Sequence, residues 1–293
     1  MNDSSERPAP RPAEPVSSLF DEAHAALMTP DPASKCRMAI ALRARWQQGR
    51  VARLDAAAPE VIEKPGRPPR PELVDPLSVP RRRATTPAGR AALIHALAHI
   101  EFNAIDLALD AVYRFRALPD AFIDDWLQVA AEEAHHFHLL RERLRAHACD
   151  YGDFAAHNGL WEMAVKTAHD PLLRMALVPR VLEARGLDVT PQIMHKLHAV
   201  GDDETVAALE IIQRDEVGHV AAGSRWFVYL CRERGLDPRS TFRALLDEHM
   251  PGRIKAPLHR AARLLAGFDE EELRELEARA AAEAGGAPGG STL

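Results

Sequence analysis

The chain has 293 residues, a formal net charge of -6 at pH 7, and 46% hydrophobic against 5% aromatic residues. This length suits one large domain or one domain with an extension. The acidic balance argues against a general nucleic-acid or anionic-membrane surface, because such binding relies on a basic field. Alanine, leucine, arginine and glutamate dominate, which favours packed helices over strands, so we expect an all-α protein.

Cysteine usage and hydropathy bound the cellular setting. Cys36, Cys149 and Cys231 are far apart and form no CxxC, which suggests neither a disulfide framework nor a structural zinc site. The first 15 residues lack a hydrophobic signal core, and we find no run of about 18 apolar residues that would span a membrane. We therefore expect a cytoplasmic protein with reduced thiols and no membrane association.

The N-terminal third divides into three segments. Residues 1–15 are polar and proline-rich, and we expect them to be disordered. Residues 16–58 hold two amphipathic stretches around the turn-like Thr29-Pro30-Asp31-Pro32, which predicts a helical hairpin. Residues 59–86 are too rich in proline for a continuous helix and predict an extended strap. The run Arg81-Arg82-Arg83 within it could contact phosphates, although a solvated charge run is the better interpretation.

Four long helices are predicted between residues 87 and 236, followed by helices over 237–283 and a disordered tail over 284–293. Capping residues and first-turn prolines mark their beginnings. A connection between Asp150 and Asp170, long enough for a bundle crossover, should contain a short helix. Pro179 should kink the third long helix. The predicted long helices are Pro87 to about Phe115, Asp120 to His147, Pro171 to Gly186, and Asp202 to about Gly235.

Two Glu-x-x-His phrases on the second and fourth helices are the main chemical signal. Residues i and i+3 share one helical face, so each pair can bind one side of a metal ion. A lone glutamate within an apolar helical run precedes the glutamate of each pair, by 32 residues for the first pair and by 33 residues for the second. The candidate metal ligands are Glu101, Glu133, His136, Glu183, Glu216 and His219.

A single Glu-x-x-His pair is usually a solvated surface pair, so the combination carries the prediction. Buried carboxylates are costly without partners, and here four fall on apolar stripes with matching spacing. Four carboxylates neutralise two divalent cations, and the added imidazoles suit iron or manganese better than magnesium or calcium. Six protein ligands leave open coordination positions on two ions, which dioxygen or a peroxide needs in order to bind.

The register on the second helix has a competitor, because Glu132 and His135 form the same spacing one residue earlier. The apolar stripe of this helix surrounds Glu133 and His136, so we assign them as the ligand pair. Ligating histidines usually donate their second N–H to a carboxylate. We therefore assign Glu132 to His219 and Asp215 to His136, with ordinary surface acids as the alternative.

Several further residues are ambiguous. His99 lies near the ligand level and is a candidate support residue, although with His95 it more often indicates packing than a third metal site. His157 and Trp161 could line a substrate entrance, but packing is the better interpretation. Gly218 and Gly223 lie inside a helix, where each costs about 1 kcal/mol against alanine, so a packing or pocket reason is expected.

At these motifs the sequence resembles the ferritin-like di-iron carboxylate superfamily, and more narrowly the bacterial ferritin-like family called domain of unknown function 455. The resemblance spans about residues 16–250. It implies a ferritin-like four-helix bundle with an N-terminal hairpin and extra C-terminal helices. It also implies two iron ions, or a manganese–iron pair, with Glu101 and Glu183 as terminal ligands, Glu133 and Glu216 as bridging ligands, and the two histidines as terminal nitrogen ligands. Its carriers are His99-Ile100-Glu101, Glu132-Glu133-Ala134-His135-His136-Phe137, Tyr151-Gly152-Asp153-Phe154, Glu183-Ala184-Arg185-Gly186-Leu187-Asp188, and Asp215-Glu216-Val217-Gly218-His219-Val220 with Gly223 and Trp226.

The resemblance favours an oxidoreductase in which a di-iron centre activates dioxygen to hydroxylate or otherwise oxidise an unidentified organic substrate, as a monooxygenase does. Its partners would be a small-molecule substrate and an electron donor. A tRNA substrate is not expected, since only Arg81 to Arg83 and scattered arginines offer a basic approach. A homodimer stays open. The alternatives are iron oxidation and storage, and a helical protein whose metals only brace the core. Peroxide reduction of the rubrerythrin kind would need paired CxxC motifs, which the chain lacks.

Overall fold

The computed structural model describes residues 16–54, 58–79 and 84–285. The predicted tail at 1–15 and the run Arg81–Arg83 lie outside these ranges, as does the predicted C-terminal tail apart from its first two residues. The described chain is all-α, as predicted from composition. Its named strands are confined to one two-residue parallel pair, in which Ser17–Ser18 lies beside Val51–Ala52.

The helical elements are joined by connections of unequal length, and the longest of them separates the helix that ends at Gln47 from the helix that begins at Pro87. An isolated backbone bridge also joins Leu73 in the strap to Ala156. The elements are β1 (Ser17–Ser18), α1 (Leu19–Leu27), α2 (Pro32–Gln47), β2 (Val51–Ala52), a 3-10 turn (Pro76–Ser78), α3 (Pro87–Arg114), α4 (Asp120–Ala146), α5 (Gly159–Lys166), α6 (Pro171–Leu177), a π-helical segment (Val178–Glu183), α7 (Ala184–His198), α8 (Asp203–Glu233), α9 (Pro238–His249), α10 (Arg260–Leu265) and α11 (Glu270–Gly285).

Side-chain caps explain why three of the four long helices begin where they were predicted to begin, whereas α4 follows Pro119 without a side-chain cap. Thr86 accepts a hydrogen bond from the backbone N–H of Gly89, and Pro87 follows it. Asp170 caps α6 in the same way with Pro171 next, and Asp202 caps α8 through the N–H of Thr205. Such residues satisfy backbone donors that have no partner inside the helix, and proline there loses no bond.

The N-terminal hairpin packs on the central helices through α1 against α3 and α2 against α4. Lys35 of α2 is fully buried and forms an ion pair with Asp106 of α3. The strap lies across the same region, where Arg67 donates to Asn103 of α3 at 2.6 Å and to Asn158 at 2.5 Å. The described part of the strap contains no α-helix, in agreement with its prolines.

The central layer places α3 on α4, α4 on α8, and α8 on α6, the π-helical segment and α7. This order brings the middles of the four predicted long helices next to one another. Their apolar faces form the largest part of the core, with α9 to α11 added on the side of α6, α7 and α8.

Helix α3 is long and apolar enough, by length and composition, to cross a membrane. We expected no such run, and that expectation was wrong for this helix. The physical reason is its position: α1, α4 and α5 all pack against it, and 72% of its most apolar window is buried inside the protein. The core helix of a soluble protein meets the same criterion.

The third long helix differs from its prediction at two points. It does not end at Gly186 but continues as α7 to His198, with Pro191 inside it. Gly186 does not adopt the left-handed backbone conformation that a terminating glycine requires, so it remains helical. The kink expected at Pro179 takes the form of the π-helical segment, which ends on Glu183. Proline lacks the N–H that a regular α-helix would use there.

Gly223 of α8 packs directly against Pro179. A Cβ added at Gly223 would lie 2.3 Å from both Cβ and Cγ of Pro179, whereas one added at Gly218 would meet no atom within 4 Å. The close approach of Pro179 thus explains why a glycine occupies this position despite its low helix propensity. It gives the proline ring the room that the π-helical segment needs.

Replacing Gly223→Ala should therefore destabilise the protein by about 1–2 kcal/mol, because overpacking against Pro179 outweighs the gain in helix propensity. Gly218→Ala is the matched control on the same helix, and it should be neutral or stabilising by up to about 1 kcal/mol. Thermal unfolding followed by circular dichroism measures both. Equal stabilisation by the two substitutions would contradict the proposed contact.

Candidate metal centre

The six predicted ligands come from the middles of four helical segments that pack together. Glu101 lies on α3, Glu133 and His136 on α4, and Glu216 and His219 on α8. Glu183 is the last residue of the π-helical segment. Except for Glu183 and Glu216, which keep slight exposure, these side chains are fully buried.

Four of these residues form a tight group. Glu101, Glu133, His136 and Glu216 each offer one ligand atom, and these atoms all lie within 4.8 Å of one another. Nδ1 of His136 lies 3.3 Å from Oε2 of Glu101 and 3.4 Å from Oε2 of Glu133. These donors face a common point rather than solvent.

His219 extends the group on the α8 side. Its Nδ1 lies 3.0 Å from Oε1 of Glu133 and 3.4 Å from Oε1 of Glu216. Glu133 therefore presents one carboxylate oxygen to each histidine, and the two imidazole rings lie 5.6 Å apart between centroids. This carboxylate occupies the centre of the arrangement.

Glu183 lies at the edge of the group rather than among the four closest residues. It lines the same cavity as Glu101, Glu133 and Glu216, and its Oε2 is buried without a hydrogen-bond partner. Burial, followed by the charges of Glu216 and Glu133, raises the pKa of Glu183 well above its usual value. A carboxylate in this position is unfavourable unless a cation or a proton joins it.

The far side of each histidine ring contacts a second carboxylate. Nε2 of His136 lies 3.2 Å from Oδ2 of Asp215, and Nε2 of His219 lies 2.8 Å from Oε2 of Glu132. These are the pairings assigned from the sequence, made across α4 and α8. With Nε2–H donating outward, Nδ1 of each ring faces the inner carboxylates, and its lone pair would be available to a metal ion placed between them.

The atoms on the inner side lack protein partners. Buried polar atoms are nearly always hydrogen-bonded, so a cluster of exceptions at one point requires an explanation. Carboxylate oxygens and imidazole nitrogens arranged this way are the donor set for divalent metal ions of the iron and manganese type. Within the described residues, the unpartnered buried atoms include Oε2 of Glu101, both Oε of Glu133, Nδ1 of His136, Oε2 of Glu183 and Nδ1 of His219.

The pKa values of the group are also shifted as expected for a site that a cation would occupy. Burial, reinforced by Glu133, raises the pKa of Glu101 to about 8. Burial lowers the pKa of His136, but the carboxylates of Glu101 and Glu133 close to its Nδ1 outweigh this effect and raise that pKa to about 11. Without a metal, the group thus retains protons on its inner side, which metal ions would displace.

A cavity of about 150 Å³ opens beside the carboxylates, between α3, α5, α7 and α8. Its wall is mainly aliphatic, and Arg185 and Thr190 are its polar residues apart from the candidate ligands. We did not select these two residues from the sequence. The signal available was position, since Arg185 follows Glu183 by two residues and Thr190 by two helical turns.

His99 does not join the metal ligands. Its Nδ1 lies 2.9 Å from the hydroxyl oxygen of Tyr151, and its Nε2 lies 3.0 Å from the carbonyl oxygen of His157. These contacts tie α3 to the connection before α5, so His99 braces the fold. Its ring lies on the strap side of α3, so its assignment as a support residue for the metal centre stays a prediction. His95 likewise packs, accepting the N–H of Gly152 at 2.9 Å.

Comparison with known proteins identifies the family. Residues 28–274 match the family model described as "Protein of unknown function (DUF455)". The chain belongs to this family. A Haemophilus influenzae protein (strain ATCC 51907 / DSM 11121 / KW20 / Rd) with the name "Uncharacterized protein" is 44% identical over 269 residues, covering 88% of this chain and 93% of that protein. No solved structure matches this member of the DUF455 family significantly.

Replacing Glu101→Gln should stabilise the metal-free protein at pH 7 by on the order of 2 kcal/mol. The pKa of Glu101 rises from 4.5 to about 8 on folding, so the carboxyl must take up a proton at neutral pH. Since the folded state binds more protons, this term weakens stability as pH rises from 4.5 to 8, and the variant should flatten that slope. Chemical denaturation of the chelator-treated protein at several pH values measures the free energy of unfolding and its pH dependence. Destabilisation at pH 7 would instead identify Glu101 as a structural partner of His136.

Proposed function

We propose that the protein is a ferritin-like di-iron carboxylate oxidoreductase that activates dioxygen to oxidise an organic substrate. The observation that carries the proposal is the set of unpartnered buried atoms on the inner faces of Glu101, Glu133, His136, Glu183 and His219. In this proposal α3, α4, α8 and the helix formed by α6, the π-helical segment and α7 are the four helices of the bundle.

Charge and donor chemistry support two divalent ions. Four carboxylates bring four negative charges, which two divalent cations neutralise, whereas one cation would leave an uncompensated buried charge. The mixed oxygen and nitrogen donors suit iron, with a manganese–iron pair as the alternative composition.

The contacts also suggest how the residues would divide between two ions. Glu133 faces both histidines and would bridge, while Glu101 accompanies His136. Glu216 belongs to the tight group with His136 and also contacts His219, so it would be the second bridge. Glu183 would complete the α8 side.

When bound by these residues, two ferrous ions would supply electrons for the reductive activation of dioxygen. Hydroxylation would place one oxygen atom into a C–H bond and reduce the other to water, with two electrons and two protons from an external donor. The chain's own residues set the conditions for this chemistry: Glu132 and Asp215 hold the two imidazoles in one tautomer and orientation. The aliphatic cavity keeps bulk water away from the carboxylates and offers space for a small-molecule substrate.

Metal counting after anaerobic Fe(II) reconstitution tests the proposal. We expect about two iron ions per chain, and a loss of at least one in Glu133→Gln, because this side chain faces both histidines. Glu142→Gln, on an exposed position of the same helix, is the matched control and should retain both. Fewer than about two ions in the unaltered protein, or equal metal content in the two variants, would overturn the assignment.

The outward carboxylates generate a separate prediction. Asp215→Asn should weaken iron binding by about 10- to 100-fold without removing a ligand, because the imidazole loses the partner that fixes its tautomer. Glu210→Gln, exposed on the same helix, should leave affinity unchanged. Competitive chelator titration measures both, and unchanged affinity in Asp215→Asn would assign this residue to the surface.

Exposure of the reconstituted protein to dioxygen distinguishes the alternatives. An oxygenase should consume dioxygen, return to the ferrous state when reductant is added, and form no mineral, as Mössbauer spectroscopy would report. Growth of a ferric mineral would favour iron storage. A protein that gains melting temperature from metal but consumes no dioxygen would be metal-braced without catalysis.

A further inference from the structure

The cavity beside the carboxylates has mainly aliphatic walls. Its polar lining residues are Arg185, Thr190 and four of the candidate ligands, Glu101, Glu133, Glu183 and Glu216. Apolar pockets with a few placed polar groups are typical of small-molecule sites. The aliphatic wall is formed by Leu97, Ile100, Ala104, Leu107, Leu160, Leu182, Val189 and Ile212.

The size of the cavity limits what it can hold. Its volume is about 150 Å³, and a cavity of roughly that volume lined by aliphatic side chains is known to take up benzene. A hydrocarbon group of about six carbon atoms therefore fills it. A steroid, a long acyl chain or a nucleobase with its ribose exceeds this volume.

The wall of the cavity includes a positive charge. Arg185 lines the cavity and is partly exposed, donates to the carbonyl oxygen of Lys255 at 2.9 Å, and lies 3.7 Å from Asp188. Asp188 is already bound by the buried Arg263, at 2.9 and 2.7 Å. Two guanidinium groups thus share one carboxylate, which leaves one positive charge without a counterion at this contact.

We propose that the cavity binds a small aliphatic carboxylic acid, with its hydrocarbon group directed to Glu101, Glu133 and Glu216 and its carboxylate at Arg185. As a binding site it stands on the cavity and the arginine alone. As the substrate class of the oxidation it rests on the proposed function. In that case the reacting C–H bond belongs to the end of the hydrocarbon group away from the carboxylate.

Isothermal titration calorimetry on the full chain loaded with redox-inert Zn(II) tests this inference, with metal content measured first. Each buried methylene should add roughly four-fold in affinity, so hexanoate should bind on the order of 100-fold more tightly than acetate. Decanoate should bind more weakly than hexanoate because it exceeds the cavity. Hexanoate binding no tighter than acetate would overturn the proposal.

Arg185→Gln separates the charge contribution from the apolar one. It should weaken hexanoate by about five-fold, the effect expected of a partly exposed ion pair, and leave the neutral probe 1-hexanol unchanged. Arg274→Gln, exposed on α11, is the matched control and should change neither. Equal losses for hexanoate and 1-hexanol in Arg185→Gln would refute the placement of the carboxylate.

Filling the cavity tests its location. Ala104→Leu should abolish binding of both probes with circular dichroism unchanged. Should this variant fold poorly, Ile100→Trp at the partly exposed rim, where the isoleucine is 44% exposed, decides instead by reducing affinity at least ten-fold. Retained binding in the folded variant refutes the cavity as the site. If the chain takes up no metal, the proposed function fails, while 1-hexanol binding still reports on the cavity.

Discussion

The structure depends on one unfavourable arrangement: carboxylates placed inside an apolar helical core. Four glutamates and two histidines converge there: Glu101, Glu133, Glu183, Glu216, His136 and His219. Ionised carboxylates in such surroundings cost several kcal/mol each unless charge or protons compensate them. The hydrophobic packing of the helices around the group must supply this free energy in the absence of metal. A pair of divalent cations would neutralise the carboxylates. The same residues would then connect four helical segments through the metal ions.

The outer parts of the fold serve to hold those segments in register. Four buried ion pairs that join separate elements restrict how the helices can rotate, since each charged side chain must keep its partner. The strap adds hydrogen bonds from Arg67 to both Asn103 and Asn158, which fix the connection before α5 to α3. Positioning of this kind matters because a ligand set functions only when its donors converge. The buried pairs are Lys35 with Asp106, Arg174 with Asp110, Arg180 with Glu272, and Arg263 with Asp188.

The π-helical segment is the least regular element at the site. Pro179 is its second residue, Gly223 provides the room for the proline ring, and Glu183 ends the segment. Segments of this type occur at functional sites because they rotate the residues that follow without ending the helix. Here Glu183 and Arg185 both line the cavity. One local irregularity therefore supplies both a candidate ligand and the charge proposed to bind substrate.

The sequence by itself determined the helix starts, the all-α class and the identity of the inner carboxylates and imidazoles. These are local properties: caps mark helix ends, and a spacing of three puts Glu133 and His136 on one face. The apolar stripe selected this register over Glu132 and His135, and the outward pairs with Asp215 and Glu132 followed from antiparallel packing.

Only the tertiary structure decided the course of the third helix, the direction of the His99 ring and the shape of the cavity. Each depends on how neighbouring helices rotate and approach one another, which no single segment encodes. Gly186 could have ended a helix, and α8 packing keeps it helical. Arg185 gained its proposed role from the space beside it and from Asp188 being shared with Arg263.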